Sequence, residues 1–329
     1  MTTILSRTRV FRASSGAFTL IELLVVLAII FVLVGFVLVA LRSARAGAER
    51  AESLNSLRQM TAGYIAYASE NDGLLMPGYV KPQDFIAGGG TLDINARLKS
   101  GYDLDSAGNA AANDASSYVW RLAPYLDHNW IAYFNDSRDK QLVARLEAEY
   151  GNGSASGAFG PASISGSQLG IARVPSYGLN SIFLGGDSFH GPADHSPWND
   201  GKRPYVASRM SEVLNPTKII VFGASEATGV ALPNPTGVAG ILGYCELRAP
   251  QVMDATGNPV SQWAIDTTSG SPTEGQVVYT GGGPAGVPVS RLPGDKVPIS
   301  HLDGHVEAES LGRLGADMSR WAPNAISTQ

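Results

Sequence analysis

The chain has very little cysteine and few charged side chains. Cys245 is the only cysteine among 329 residues, so an intramolecular disulfide is excluded and stability must come from burial of apolar surface. Charged residues make up 16% of the chain, below the roughly 25% usual in soluble domains, which indicates that part of the chain does not lie in water. The net charge of −5 excludes a global basic field and disfavours nucleic acid as a partner.

The rest of the composition indicates a folded protein with many turns. Hydrophobic residues account for 44% and aromatics for 8%, which is enough to bury a core in one large or two ordinary domains. The 38 glycines and 19 prolines stay below the share that marks low-complexity disorder. No convincing internal repeat is evident from Pro77 to Gln329.

An apolar run extends from Phe18 to Leu41, with Glu22 as its only charge and Thr19 as its only other polar side chain. A helix of about 20 apolar residues spans a bilayer. The run is too long for the apolar part of an ordinary secretory signal, although the segment 44–46 resembles a signal peptidase site. Arginines lie on both sides of the run and leave its orientation open: Arg7, Arg9 and Arg12 before it, and Arg42, Arg45 and Arg50 after it.

Glu22 is the anomaly of this run, because an ionised carboxylate is costly to place in lipid. Residue chemistry leaves two alternatives. Either Glu22 lies close to the membrane interface and reaches water, or it pairs with a partner inside the apolar layer.

The segment 16–26, with the sequence GAFTLIELLVV, resembles the cleavage and methylation signature of type IV prepilins and type II secretion pseudopilins. The resemblance implies that a prepilin peptidase cleaves between Ala17 and Phe18 on the cytoplasmic side and N-methylates Phe18. It also implies that Glu22 attracts the terminal amine of a neighbouring subunit and so sets the register of assembly. Two positions depart from the family pattern: Ala17 stands where Gly is usual, and Val39 where many pilins have Pro.

The helical pattern continues beyond the apolar run on one face only. Apolar and small residues recur there at three- and four-residue spacing: Ala51, Leu54, Leu57, Thr61, Tyr64, Ile65 and Ala68. The stop signals at 71–73 and 77–78 predict a single helix from about residue 18 to about residue 71. We therefore expect a leader at 1–17, a transmembrane half of the helix at 18–41, an amphipathic half at 42–72 and a globular head at 73–329.

The head has many short segments separated by Gly, Pro, Asn and Asp, which predicts an α+β pilin-like fold with an antiparallel-sheet-rich head. Helical pieces are expected at 117–126, 139–150 and 207–214. Strands are expected at 218–222, 241–246, 276–279, 297–301 and 306–309, with Asp303 and Gly304 as the turn of a hairpin. The patches 54–76, 118–126, 176–180 and 303–307 resemble the large pilin-like family of planctomycetes, verrucomicrobia and relatives, and indicate scaffold rather than chemistry.

Two groups of residues are candidate metal ligands. Asp103, Asp105 and Asp114, with Gly108 and Asn109, follow much of the spacing of an oxygen-ligand calcium loop, although no helix pair flanks them. The alternative is a solvated acidic loop. Zinc would suit His190 and His195 with Asp187 and Asp194, but the spacing fits no established motif, which favours a polar loop.

Ser225 follows an apolar strand in the sequence GASEA, which is similar to a nucleophile elbow. The second glycine of that motif is missing, and no acid and histidine follow at persuasive positions, so a hydrolase is disfavoured. The tryptophans show no regular spacing, and scattered aromatics of this kind favour core positions over a sugar-binding platform: Trp120, Trp130, Trp198, Trp263 and Trp321.

These features predict a non-enzymatic structural subunit of a type IV pilus-like or type II secretion pseudopilus filament, without a cofactor unless the acidic loop binds Ca²⁺. The implied partners are prepilin peptidase, an inner-membrane assembly platform and other pilin-like subunits. The expected location is the inner membrane, crossed once, with the head periplasmic or extracellular. A membrane-tethered exported binding protein that does not polymerise is the alternative, and a secreted enzyme with an unrecognised site is a second one.

Overall fold

The computed structural model describes residues 19–78, 117–127, 130–133, 175–186, 206–227, 243–253, 259–272, 274–275, 277–280 and 285–323. The chain divides into two compact units, Met1–Gly47 and Ala48–Gln329. The predicted helix at 139–150 lies outside the described residues.

The longest element is helix α1, Leu20–Glu70, which confirms the single long helix that the sequence predicts. It ends at the predicted stop signal. Asp72 and Gly73 adopt positive φ angles of 54° and 78°, and the Gly73 N–H donates to the carbonyl of Ala68 at 2.8 Å. A left-handed residue with a backward hydrogen bond of this kind satisfies a free carbonyl of the last turn and stops the helix.

The part of α1 inside the second unit buries one face in the core. The buried positions keep the three- and four-residue spacing of an amphipathic helix: Ser53, Ser56, Leu57, Met60, Thr61, Gly63, Tyr64, Tyr67 and Ala68. The Tyr64 ring meets Phe222 edge to face at 5.7 Å. A Cβ on Gly63 would come within 3.0 Å of Leu122, so glycine permits close packing there.

The remaining described elements are short. The helices are α2 Tyr118–Leu122 and α3 Leu311–Ala316, and the 3-10 helices are Ala123–Leu126, Trp130–Tyr133, Met210–Glu212 and Met318–Arg320. The strands are β1 Tyr177–Leu179, β2 Ile220–Ala227, β3 Gln251–Met253, β4 Pro259–Ser261, β5 Trp263–Ile265, β6 Val277–Tyr279, β7 Ala285–Pro288, β8 Lys296–His301 and β9 Val306–Ser310.

Every ladder between these strands is antiparallel, which confirms the predicted α+β architecture. The main sheet has the order β1-β2-β8-β9, with β7 also pairing with β2, while β3-β4 and β5-β6 form two-stranded sheets. The hairpin of β8 and β9 turns at Asp303 and Gly304, as predicted, and Gly304 has a φ of 93°. The strand predicted at 276–279 is present as β6.

Three sequence predictions in the head need correction. The strand predicted at 218–222 begins at Ile220 and continues to Ala227. At 207–214 only Met210–Glu212 forms a 3-10 helix, because Ala207 instead donates its N–H to the carbonyl of Phe183. The described part of 241–246 makes an isolated bridge rather than a strand.

The segments 118–126 and 176–180 connect other parts of the second unit through hydrogen bonds. The Tyr118 hydroxyl donates to the Tyr177 carbonyl at 2.7 Å, and the Tyr177 hydroxyl lies 3.1 Å from the hydroxyl of Ser53 on α1. Arg121 is buried and donates to the carbonyls of Pro77 and Gly78, and burial lowers its pKa to about 10. These residues therefore tie α1 and the segment after it to the sheet, in agreement with the scaffold interpretation.

A second buried cluster lies on β8, α3 and the hairpin of β5 and β6. Trp263 and Trp321 meet edge to face at 6.3 Å, and the Trp321 indole donates to the carbonyl of Leu314 at 2.9 Å. The Asn180 amide donates to the carbonyls of Ile220 and Trp321 at 2.9 and 2.8 Å. Both tryptophans are thus core residues, as expected; the side chains of the other three lie outside the description.

Candidate functional site

The first turn of α1 is closed by a capping box between Thr19 and Glu22. One carboxylate oxygen of Glu22, Oε2, accepts hydrogen bonds from the Thr19 backbone N–H and hydroxyl, both at 2.8 Å. In return the Glu22 N–H donates to the Thr19 hydroxyl at 3.3 Å. A Thr three residues before a Glu satisfies two free N–H groups at a helix start. This motif was not predicted above, although the sequence TLIE at 19–22 contains it.

The capping box is relevant to both alternatives for Glu22, which are contact with water at the membrane interface and pairing with a partner inside the apolar layer. The side chain is exposed. Within residues 19–78, Oε2 is the carboxylate oxygen that accepts both hydrogen bonds from Thr19. The other carboxylate oxygen, Oε1, is therefore available for a second donor. A role in closing the helix and a role in pairing with another chain are sterically compatible.

The helix surface that follows Glu22 is apolar on every side and uncovered. All large apolar side chains from Leu20 to Leu41 are exposed, by between 44% and 81%. Soluble monomers rarely present a continuous apolar patch of more than a few hundred square ångströms, because its hydration is unfavourable. This surface requires lipid or other protein subunits as its surroundings.

Among the described residues, α1 is the helix whose length and composition suffice to cross a membrane. Its most apolar stretch lies near the N-terminus and has no part buried within the protein. A buried core helix passes the same length test but would be covered by its own fold. The exposure of this stretch therefore supports single-pass membrane anchoring.

Most of the other predicted site residues lie outside the described residues. These are the cleavage and methylation positions Ala17 and Phe18, the calcium candidates Asp103, Asp105 and Asp114, and the zinc candidates His190, His195, Asp187 and Asp194. They remain predictions from the sequence.

Ser225 is buried within β2 and does not lie on a strand-to-helix turn. Its hydroxyl donates to the Tyr244 carbonyl at 2.5 Å and accepts from the Tyr244 N–H at 3.2 Å. Both hydrogen bonds join neighbouring backbone segments. The side chain is thus used for packing, and the geometry of a nucleophile elbow is absent at this residue.

A polar cluster on the β8-β9 hairpin was likewise not predicted from the sequence. Among the described residues, His301, His305 and Glu307 form a group whose ligand atoms lie within 4.8 Å of one another, close enough for a metal ion. Burial, together with the neighbouring His305 ring, lowers the pKa of His301 against the opposing effect of Glu307. The signal for this cluster is the spacing H-x3-H-x-E around the turn at Asp303 and Gly304.

Comparison with known proteins bears on the start of the chain. Residues 12–38 match the family described as "Prokaryotic N-terminal methylation motif". This motif is the prepilin-type signal of pilin-like proteins and marks a prepilin-peptidase substrate of the type IV pilin or pseudopilin kind. Neither the curated proteins nor the solved structures gave a significant match.

Proposed function

We propose that the protein is a non-enzymatic filament subunit of the type IV pilus or type II secretion pseudopilus kind, assembled through α1. The observation that carries the proposal is the uncovered apolar surface of Leu20–Leu41 directly after the methylation motif. In the membrane this surface contacts lipid before assembly. In the filament it packs against the same segment of neighbouring subunits, which replaces lipid contacts by protein contacts.

Maturation would prepare α1 for this packing. Cleavage between Ala17 and Phe18 removes a leader that carries Arg7, Arg9 and Arg12 and leaves a methylated amine four residues before Glu22. That amine is positively charged, and the free Oε1 of Glu22 on another subunit is an acceptor for it. Pairing satisfies two charges that are costly to leave unpaired in an apolar layer, and it occurs only when neighbouring helices are in register.

The assembly step would draw on three partners. A prepilin peptidase cuts and methylates the chain, an inner-membrane platform adds the subunit to the growing filament, and other pilin-like subunits receive it. The head, residues 73–329, then lies on the periplasmic or extracellular side. The rival interpretation is a processed, membrane-tethered binding protein that remains a monomer.

Photo-crosslinking distinguishes a filament subunit from a membrane-tethered monomer. We expect benzoyl-phenylalanine at position 31 or 36, where Phe31 and Phe36 are 73% and 71% exposed, to yield a ladder of crosslinked chains in native membranes under light. Each label reacts with an adjacent subunit, so successive subunits become joined. The bands are read by gel electrophoresis and immunoblotting of the full-length chain.

The matched control carries the same label at Leu214, which is 75% exposed but lies in the second unit. We expect little laddering there, because the proposed packing surface is the apolar part of α1. Labels at both α1 positions that give only monomers would favour the tethered binding protein and contradict assembly.

A further inference from the structure

The β8-β9 hairpin places three potential metal ligands on one face. Ile299 pairs with Glu307 in the ladder, and the His301 N–H donates to the His305 carbonyl at 2.9 Å. Side chains alternate between the two faces of a strand. His301, two residues after Ile299, and His305, two residues before Glu307, therefore lie on the same face as Glu307.

The hydrogen bonds of His301 orient its ring for a ligand on Nε2. Its Nδ1 lies 3.1 Å from the carbonyl of Lys218, which only accepts, so Nδ1 carries the proton. Its Nε2 lies 3.0 Å from Oε1 of Glu307. When the ring is neutral, Nε2 and Oε1 both carry lone pairs and repel each other. A cation that lies between them makes the contact favourable.

His305 repeats this arrangement at the tip of the hairpin. Its Nδ1 lies 2.6 Å from Oδ1 of Asp303, a carboxylate that accepts the ring proton. The two imidazole rings are stacked, with centroids 4.0 Å apart and planes 5° from parallel. A ring whose Nδ1–H is held by a carbonyl or carboxylate has Nε2 as its metal-binding nitrogen, which is the usual arrangement of a metal-binding histidine.

The charges around the three ligands permit a divalent cation. Arg320 donates to Glu307 and to Glu309, and Arg313 also pairs with Glu309. With Asp303, the cluster holds three carboxylates and two guanidinium groups, which leaves one net negative charge when both rings are neutral. Arg320 donates to Oε1 of Glu307, the same oxygen that faces Nε2 of His301, so a metal between Nε2 and Oε1 would share this carboxylate with the guanidinium group.

We propose that His301, His305 and Glu307 bind a divalent transition-metal ion, with Zn²⁺ as the preferred occupant. Two imidazole nitrogens and one carboxylate oxygen are a typical zinc set, and a fourth position stays open to water or to another chain. Zinc bonds of about 2.0–2.2 Å bring the ligand atoms closer together than the 4.8 Å within which they lie, and the His305 ring must also turn out of its stack with His301, because a metal lies in the plane of each imidazole that binds it. His305 and Glu307 are 44% and 39% exposed and have room for that shift, while buried His301 stays in place.

Zinc titration of the full chain tests this site. The protein is purified in detergent without a polyhistidine tag, stripped with a chelator, and titrated with Zn²⁺ in competition with a chromogenic indicator. We expect one zinc per chain at the hairpin, and affinity weakened at least about 100-fold in His305→Gln and Glu307→Gln. Both side chains are partly exposed, so circular dichroism should show that both variants fold.

The matched control is the double variant His190→Gln/His195→Gln, which removes the other histidine pair of the head. We expect its zinc affinity to equal that of the unaltered chain. Co²⁺ bound to the unaltered chain gives a second readout, the visible bands of a four-coordinate nitrogen and oxygen site. Absence of zinc binding, unchanged affinity in both hairpin variants, or a Co²⁺ spectrum of the hydrated ion would each overturn the proposal.

Discussion

Replacing Glu22 by Gln is expected to abolish most filament assembly while leaving cleavage between Ala17 and Phe18 intact. The substitution keeps an oxygen that can accept the hydrogen bonds of Thr19, and Gln is accepted at this position of a capping box. It removes the negative charge that would attract the terminal amine of the next subunit. Hydrogen bonds to charged groups change an association constant by roughly ten- to a hundredfold, and we expect the crosslinked ladder to weaken in that range.

Thr19→Ala is the matched control, because it removes the capping hydroxyl and retains the carboxylate. If Glu22 acts between chains, Thr19→Ala assembles close to normally and Glu22→Gln does not. If Glu22 serves only to begin the helix, Thr19→Ala shows the larger defect. The ladder from the label at position 36, measured in both backgrounds, decides between these outcomes, and equal assembly of all three chains would contradict the register role.

Trp321→Ala is expected to give the largest loss of stability in the head. Trp321 is fully buried against Trp263, and its indole satisfies the buried carbonyl of Leu314. Truncation leaves a cavity and an unpaired acceptor, so the free energy of unfolding should fall by about 3–5 kcal/mol. Urea unfolding of the full chain in detergent, followed by circular dichroism, measures this change.

Leu214→Ala is the control for this measurement, since it also truncates a large apolar side chain but at a position 75% exposed. Surface changes of this kind usually alter the free energy of unfolding by no more than about 0.5 kcal/mol. If Trp321→Ala costs less than about 1 kcal/mol, Trp321 does not lie in a packed core.

The features predicted well from the sequence are those with strong local signals. The long helix follows from an apolar run, a continuing 3.6-residue period and the stop at Asp72 and Gly73, and it is present as Leu20–Glu70. The last hairpin follows from alternating strands around Asp303 and Gly304, and its ladder is regular from Lys296 to Ser300. In both cases neighbouring residues alone determine the backbone.

The missed strands depend on partners far along the chain. Tyr177–Leu179 is only three residues long and forms a strand because it pairs with Phe222–Ala224. Near 241–246, where the sequence predicted a strand, Leu179 makes only a single bridge to Glu246: its N–H donates to the carbonyl of Cys245, and its carbonyl accepts from the N–H of Leu247. A segment this short has no detectable period of its own, so its structure is set by tertiary contacts.

The candidate sites also differ in whether their signal is local in the sequence or depends on residues far along the chain. Glu22 is conspicuous because its charge interrupts an apolar run, while its capping partner Thr19 was overlooked beside it. The hairpin cluster is less visible, because Lys218, which orients the His301 ring, and Arg320, which pairs with Glu307, come from other parts of the chain. The histidine spacing alone would have identified two of the three ligands, but not the hydrogen bonds that orient them.

The N-terminus of the native protein tests the central claim most directly. Protein extracted from its own membranes is analysed by intact mass and by sequencing of the N-terminal peptide with mass spectrometry. We expect a chain that begins at N-methylated Phe18, with residues 1–17 removed. A chain that begins at Gly47, as signal peptidase cleavage after Ala46 would produce, or one that retains the leader would contradict it.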